Sequence, residues 1–208
     1  MAYHVEYAED RPLPQESMWA LVVNDKPWVT LLCTPEKLDY LALGFLAGEG
    51  LISSLEDVAT LEISDGVAGA GNAIMVGLCD GNKQLPSQRV VTSGCSGGVT
   101  FDLGEKLHPL NSHQVITPQQ IYKLMQAMQR GTVEYRRTRG LHSAALANQE
   151  SVLALAEDIG RHNALDKIWG ECLAREIKTR NRLLLTSGRI SSEMLRKAIK
   201  MRTPIVVS

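Results

Sequence analysis

The sequence predicts an α/β fold whose sheet contains parallel strands covered by helices. In the second half of the chain, strand-like apolar segments alternate with segments of helical periodicity. A strand, a helix and a strand in that order form a unit in which the two strands run parallel. The chain has 208 residues, and 44% of them are hydrophobic. This is enough for a full core in one domain, or in one domain with a small appendage.

The first half predicts a hairpin followed by one helix. Residues 20–23 and 28–32 flank a polar turn, which is typical of a β-hairpin. Thr34 and Pro35 resemble a helix start, with a hydroxyl cap and a proline in the first turn. Apolar residues at helical spacing follow up to Leu46, and glycines end the helix. Two further short strands are expected at residues 60–63 and 73–76.

The second half has clearer signals. Thr117 and Gln120 form a capping-box pattern, which predicts a helix that ends near Gly131. The methionines of this helix lie on its apolar stripe, which favours packing over a sulfur or metal site. The remaining predicted elements are strands at 142–147, 152–157, 183–186 and 205–207, a helix from about Asn163, and a helix from about Ser191 to Met201.

Cys95 is the candidate reactive residue. It follows a β-branched segment and lies among glycines and serines, which suit an uncrowded loop that approaches a ligand. Cys33, Cys79 and Cys172 lie among apolar residues, as structural cysteines usually do. From the residues alone, a reactive thiol and a tight turn that carries a cysteine both remain open.

Two further clusters of polar residues lie where a predicted strand passes into a helix. Residues 157–163 combine carboxylates, a guanidinium, an imidazole and an amide around Gly160. Residues 187–192 combine hydroxyls and an arginine at a helix start, which suits a phosphate group. Ligands collect at such strand ends in open α/β sheets. The first cluster could equally be a solvated connection in which Asn163 caps the helix. His142 could be either a base near the thiol or a histidine at the edge of the sheet.

The composition excludes several classes. With 22 basic and 23 acidic residues, the formal charge of −1 argues against a broad nucleic-acid or membrane surface. No apolar run approaches the ~20 residues that span a bilayer, and the N-terminus lacks a signal-peptide core. The four cysteines show neither metal-ligand spacing nor a disulfide framework. We therefore expect a cytoplasmic protein that holds no metal of its own.

Five stretches of the chain resemble, in order, the FdhD family of formate dehydrogenase accessory sulfurtransferases. They are residues 41–50, the Ser93–Cys95 loop, and residues 140–144, 157–167 and 186–194. The resemblance covers the chain from about residue 18 to residue 208. It implies a cytidine-deaminase-like mixed sheet covered by helices at residues 89–208, after a smaller β-containing portion at residues 1–88.

The resemblance also implies a function. The protein would receive persulfide sulfur from a cysteine desulfurase. It would pass that sulfur to the molybdenum or tungsten bis-guanine-dinucleotide cofactor, which formate dehydrogenase requires. The cofactor, with its GDP-like moiety, would be a substrate and not a tightly bound group. A homodimer is implied as well.

Within this resemblance, Cys95 corresponds to the loop cysteine that holds the sulfur. The thiolate needs positive charge nearby, and the candidates are Arg161, His162, His142 and Arg189. From the chemistry we expect Asp158 to contact an N–H edge of guanine. The predicted cofactor-binding residues are Asp158, Arg161, His162, Asn163, Ser187, Gly188, Arg189 and Ser191.

Two departures from the family leave an alternative open. Gly98 stands where many members carry a second cysteine, so the sulfur would depend on a single loop thiol. A cofactor- or apo-enzyme-binding chaperone without sulfur transfer is therefore the second hypothesis. The family also continues beyond the position of Ser208, so we expect an incomplete cofactor site in this sequence. A hydrolase built on Cys95, His142 and Asp158 is disfavoured, because no nucleophile-elbow pattern is present. A zinc deaminase is disfavoured too, because the zinc-ligand pattern is absent.

Overall fold

The structure, a computed structural model, describes residues 12–66, 71–87, 90–91, 99–100 and 107–208. The first sheet has the strand order β2-β1-β4-β3. Its strands are β1 (Ser17–Val23), β2 (Lys26–Cys33), β3 (Val58–Ser64) and β4 (Ala73–Leu78), with helix α1 (Leu38–Gly48) and a short 3₁₀ turn (Leu55–Asp57) between β2 and β3.

The predicted hairpin is confirmed, and its alternation sets which side faces the core. β1 pairs antiparallel with β2 and parallel with β4. Trp19, Leu21 and Val23 point inward and are buried, whereas Met18 on the opposite face is 67% exposed. Because side chains alternate along a strand, β1 has one apolar face, and α1 packs on that face of the first sheet.

The predicted start of α1 is wrong. The helix begins at Leu38, and its N-cap is Lys37 in the left-handed region, with φ 52°. The Thr34 side chain does not cap it. Instead, Thr34 Oγ1 accepts a hydrogen bond from the Ile159 amide at 3.1 Å. The Thr34 side chain therefore forms a tertiary hydrogen bond in place of the local helix cap that the sequence predicts.

The second sheet has the strand order β10-β9-β7-β8. Its strands are β7 (His142–Ala147), β8 (Val152–Asp158), β9 (Leu183–Thr186) and β10 (Ile205–Val207). β7 is antiparallel to both β8 and β9, whereas β9 and β10 are parallel. The helices of this half are α2 (Pro118–Gly131), α3 (Glu134–Thr138), α4 (Arg161–Ala174) and α5 (Ser192–Lys200). The mixed α/β architecture is therefore confirmed.

Helices cover both faces of the second sheet. Ala144, Leu146 and Leu184 face the large core that also holds residues of α1, α4 and α5. Leu124 and Met128 of α2 pack on the other face, against neighbours that include Ala145, Ala147 and Leu185. The capping box of α2 forms as predicted, since Gln120 N donates to Thr117 Oγ1. Its methionine stripe is core, as the spacing indicates.

The two halves of the molecule meet where α1 crosses α4. A Cβ built on Gly44 would lie 1.8 Å from the Asp166 carbonyl oxygen, and one on Gly170 would lie 1.9 Å from the Tyr40 carbonyl oxygen. At these two positions the helix backbones touch, which only glycine allows. The division at residue 88 stays a prediction, but the two portions share one continuous core.

A two-stranded ribbon completes the described elements. β5 (Val90–Val91) pairs antiparallel with β6 (Val99–Thr100). Cys95 and Gly98 fall between these strands in the sequence and lie outside the described residues. In the part of the chain that the structure describes, none of the helices is both long and apolar enough to cross a membrane.

Candidate functional site

Four chain segments meet at one edge of the second sheet, where β8, β9 and β10 end and β7 begins. We call it the carboxyl edge. His142 at the start of β7 pairs in register with Asp158 at the end of β8. The Ser208 hydroxyl, just after β10, donates to the Gly188 carbonyl oxygen at 3.0 Å. Both predicted polar clusters after strands therefore lie at this edge.

The centre of the carboxyl edge is formed by Arg161, His142 and Gly188. A Cβ built on Gly188 would lie 3.1 Å from Arg161 Cβ and 3.2 Å from His142 Nδ1. The Gly188 amide is held by Thr186 Oγ1 at 3.1 Å. Because Gly188 has no side chain, the aliphatic part of Arg161 and the imidazole of His142 can both approach the turn after β9. The structure thus brings together three residues that the sequence placed in separate motifs.

Ser191 and His162 form the adjoining part of the site, at the start of α5. Ser191 is the N-cap, and its hydroxyl accepts from the Met194 amide at 3.3 Å. The same hydroxyl lies 3.2 Å from His162 Nε2, which is also 3.2 Å from Glu193 Oε2. This confirms the predicted helix start and adds Glu193, which the sequence did not single out.

Both histidines are held neutral at neutral pH. Burial lowers the pKa of His162 to about 4, against the opposing attraction of Glu193, and the positive charges of Lys197 and Arg161 lower it further. Burial also lowers the pKa of His142 below its usual 6.5, and the Arg161 charge acts in the same direction. These lowered pKa values disfavour the expectation that the imidazoles supply positive charge to a thiol. Arg161 and Arg189 stay the predicted sources of that charge.

Asp158 lies inside the protein and not on the site surface. Its side chain is fully buried, and its Oδ2 accepts from Lys167 Nζ at 2.7 Å and from the Thr34 amide at 3.1 Å. Its Oδ1 accepts from the Gly160 amide at 2.8 Å and from Asn163 Nδ2 at 3.0 Å. With both oxygens occupied, the carboxylate holds the turn between β8 and α4. This burial disfavours the predicted direct contact of Asp158 with guanine.

Sequence reasoning also missed the role of Lys167, and it assigned Thr34 to a local helix cap. Lys167 has no exposed surface, and its ammonium also donates to the Thr34 carbonyl at 2.9 Å and the Glu157 carbonyl at 3.3 Å. We call Asp158, Lys167 and Thr34 the buried anchor. The available signal was a lysine that follows Asp166 in a mostly apolar stretch of helix, nine positions after Asp158. The partner 133 positions away could not be found from spacing.

The other predicted residues divide between the anchor and the surface. Asn163 Nδ2 donates to the Leu32 carbonyl at 2.9 Å as well as to Asp158, so it braces the anchor. Ser187 continues the strand pairing, because its amide donates to the Ser143 carbonyl at 2.9 Å, and its hydroxyl accepts from the Ser143 amide at 2.9 Å. Ser187 and Arg189 are both exposed on either side of the buried Gly188. These two remain accessible to a ligand.

The described cysteines differ sharply in chemistry. Burial raises the pKa of Cys33 and that of Cys172 to about 12, so neither provides a thiolate at neutral pH. Cys79 is exposed, and its thiol donates to the Glu56 carbonyl at 3.2 Å. Among the residues with described positions, no group of three or more histidine, cysteine or acidic side chains could hold a metal ion.

The site as a whole suits an anionic ligand. Arg161, which is only 6% exposed, the exposed Arg189 and the capped start of α5 bring two guanidinium groups, a hydroxyl and helix amides to one place, a combination that favours phosphate oxygens. The neutral imidazoles can each donate or accept one hydrogen bond.

Comparisons with known proteins agree with one another. The model of the FdhD/NarQ family matches residues 14–208. The sulfur carrier protein FdhD of Halalkalibacterium halodurans is 37% identical over 99% of this chain and 77% of the relative. Its counterpart in Bacillus licheniformis is 37% identical over 90% of this chain and 72% of the relative.

A solved structure shows the same fold. It belongs to a protein from Desulfotalea psychrophila that is assigned as a formate dehydrogenase accessory protein, and it matches with a TM-score of 0.72. The match covers 93% of this chain and 73% of that one at 23% identity. At this identity the likeness supports the architecture described above and no more.

Proposed function

The chain belongs to the FdhD/NarQ family, and from this we propose that it is a sulfur carrier that serves formate dehydrogenase. One observation carries the proposal. The family match extends over residues 14–208, and relatives named as sulfur carriers align with nearly the whole chain. The match includes the glycine-rich segment with Cys95.

The loading step is a transfer of sulfane sulfur to Cys95. The Cys95 thiolate attacks the terminal sulfur of a persulfide on a cysteine desulfurase. A new S–S bond forms on Cys95, the S–S bond of the donor breaks, and the desulfurase cysteine leaves as a thiolate. No electrons are gained or lost overall, so this step needs no external oxidant or reductant.

The chemistry of the other cysteines supports Cys95 as the acceptor. Cys33 and Cys172 are buried, and the pKa of each is raised to about 12. Only a thiolate attacks a persulfide at a useful rate. Cys79 is exposed and is therefore the residue against which Cys95 must be compared.

The substrate that receives the sulfur is the molybdenum or tungsten bis-guanine-dinucleotide cofactor. We propose that its GDP-like moiety binds at the carboxyl edge. The phosphates would face Arg161, Arg189 and the start of α5. Because Gly188 has no side chain, its backbone could approach the ligand closely. Asp158 and Asn163 would act indirectly, by holding the turn that carries Arg161. Transfer of the terminal sulfur to the metal as a sulfido ligand would break the S–S bond and return the Cys95 thiolate, and the two electrons that reduce this sulfur would come from a reduced metal centre of the cofactor.

The partners follow from this sequence of steps. A cysteine desulfurase supplies the sulfur, and formate dehydrogenase receives the completed cofactor. We place both encounters in the cytoplasm, with the carrier acting as a homodimer.

Intact-mass spectrometry tests the loading step. After incubation with a cysteine desulfurase and cysteine, we expect a mass increase of one sulfur atom that disappears on mild reduction. Cys95→Ala should abolish the increase, whereas the matched Cys79→Ala should retain it. Undiminished sulfur on Cys95→Ala would refute Cys95 as the acceptor.

The chaperone hypothesis is favoured by one feature, the glycine at position 98, where the resemblance to the family leads us to expect a second cysteine. It predicts that Cys95→Ala still supports formate dehydrogenase activity in cells that lack the natural protein. The sulfur-carrier proposal predicts that activity is lost while the amount of soluble protein is unchanged.

A further inference from the structure

An open cavity of about 800 Å³ lies at the opposite edge of the second sheet, and the proposed function does not use it. It lies between the C-terminal ends of α1, α4 and α5 and residues 107–111. We call it the rear cavity. Its volume lies within the range of pockets that bind small organic molecules.

The inner wall of the rear cavity is apolar. Ile52 and Trp169 are buried at the wall, and Met201 is 1% exposed beside them. Leu173 and Ile177 continue the wall toward the opening. Such a wall offers water no hydrogen bonds. An apolar group of a ligand is therefore stabilised when it leaves bulk water and packs against the wall.

The opening carries positive charge. Lys178, Arg180 and Arg202 line it and are exposed. Among the described residues that line the cavity there is no aspartate or glutamate. None of these three cations forms an ion pair with any residue whose position is described. The positive field at the opening is therefore not neutralised locally.

Helix C-termini usually oppose anion binding, but here their carbonyls are occupied. In α4 the Ile177 amide donates to the Cys172 carbonyl at 2.8 Å, and in α5 the Thr203 amide donates to the Ala198 carbonyl at 2.9 Å. Each is the bond of a Schellman motif, which satisfies free carbonyls at a helix end. These carbonyls at the negative ends of α4 and α5 are therefore already engaged in hydrogen bonds within the protein.

Arg202 occupies a position that favours glycine. It follows α5 in the left-handed region, with φ 58°. A glycine would adopt this conformation with about 1 kcal/mol less strain. The arginine side chain at this position adds charge to the cavity opening that a glycine cap would lack.

We propose that the rear cavity binds an amphipathic organic anion, with an apolar body against the half-buried Leu173 and Ile177 and a phosphate, sulfonate or carboxylate group between Arg180 and Arg202. This site is separate from the carboxyl edge. α4 begins with Arg161 at that edge and reaches the rear cavity with Cys172, about 16 Å further along the helix axis. The site goes beyond the proposed sulfur transfer and does not depend on it.

The test uses anilinonaphthalene sulfonate, a fluorescent aromatic anion, with the full chain. We expect saturable binding at one site per chain in equilibrium dialysis, with enhanced fluorescence. The double variant Arg180→Gln/Arg202→Gln should weaken binding about tenfold, since it removes two charge-assisted contacts. The double variant Arg136→Gln/Arg137→Gln removes the same charge from α3 and should bind like the unmodified protein. The neutral analogue phenylnaphthylamine should bind at least about tenfold more weakly.

Three outcomes would overturn the proposal. They are equal losses in the two double variants, equal affinity for the neutral analogue, and binding that fails to saturate at one site per chain. Circular dichroism of each variant checks that its fold is intact, which we expect because all four arginines are exposed. None of these three outcomes affects the test of sulfur loading on Cys95.

Discussion

The ammonium of Lys167 is a charge that the fold has taken completely out of water. It is fully buried and lies 2.7 Å from the equally buried Asp158 carboxylate. Removing one member of such a pair leaves the other charge without compensation in a low-dielectric interior. The pair therefore fixes the turn before Arg161 but leaves that turn sensitive to single substitutions.

We expect Lys167→Met to lower the free energy of unfolding by about 3–5 kcal/mol, because Asp158 loses its counter-charge. Urea denaturation measures this change. Lys37→Met is the matched control, since its pair with Glu171 is 38% exposed on the lysine side and should contribute about 1 kcal/mol or less. A loss for Lys167→Met no larger than that of the control would contradict the structural role of the anchor.

His162 couples stability to pH. Its pKa is lowered to about 4 in the folded protein, from an ordinary value of 6.5. The unfolded chain therefore binds the proton first as the pH falls, and the folded state loses stability between about pH 6.5 and pH 4. The full contribution is about 3 kcal/mol. The groups that face His162 are Glu193, Lys197, Arg161 and His142.

Denaturation midpoints across this pH range test the coupling. We expect His162→Gln to reduce the dependence of stability on pH between 6.5 and 4 relative to the unmodified protein. Because burial raises the pKa of the Asp166 carboxyl to about 6, within the same range, the difference between the two profiles is the informative quantity. Identical profiles would show that His162 is protonated as readily in the folded protein as in the unfolded chain.

At this scale the sequence indicates which residues are polar and close to strand ends, but not which way they face. It placed Arg161, Gly188 and Ser191 in motifs that do meet at one edge. It could not separate Asp158, which is buried, from Ser187, which is exposed, because both follow a strand. Burial depends on contacts across the whole chain, and these are absent from a local pattern.

At the scale of elements, the crossing of α1 and α4 depends on two glycines. We expect Gly170→Ala to lower the free energy of unfolding by about 3 kcal/mol or more, because its Cβ would lie 1.9 Å from the Tyr40 carbonyl oxygen. Thermal and urea unfolding measure the loss. Gly81→Ala is the control, with no heavy atom within 4 Å of its Cβ. Equal stabilities of the two variants would mean that the helices can separate without cost.

The elements themselves were largely predictable because their signals are local. Two apolar segments on either side of a polar turn predicted β1 and β2, and the capping box predicted the start of α2. The errors arose where a tertiary contact decides. Thr34 was drawn into the anchor, and the five-residue α3 was missed. Its first amides are bound by the Glu157 carboxylate, more than twenty positions away.

At the scale of the whole molecule, the two predicted portions are joined by one core. Trp28 of the first sheet and Trp169 of α4 belong to the same cluster of buried residues. The buried anchor adds a second link, because Thr34 follows β2 while Lys167 lies on α4. Two portions that share a core in this way cannot unfold separately without exposing that core to water.

We therefore expect a single cooperative unfolding transition, although the sequence suggests a division near residue 88. Two variants each keep one reporter: Trp19→Phe/Trp169→Phe retains Trp28, and Trp19→Phe/Trp28→Phe retains Trp169. In each variant, tryptophan fluorescence and far-ultraviolet circular dichroism should give the same denaturant midpoint. The reason is that both tryptophans lie in the shared core, where Trp28 is 8% exposed and Trp169 is 7% exposed. If Trp28 fluorescence changed at a lower denaturant concentration than the dichroism signal, the first sheet would unfold on its own, and the contact between α1 and α4 would be too weak to unite the two portions.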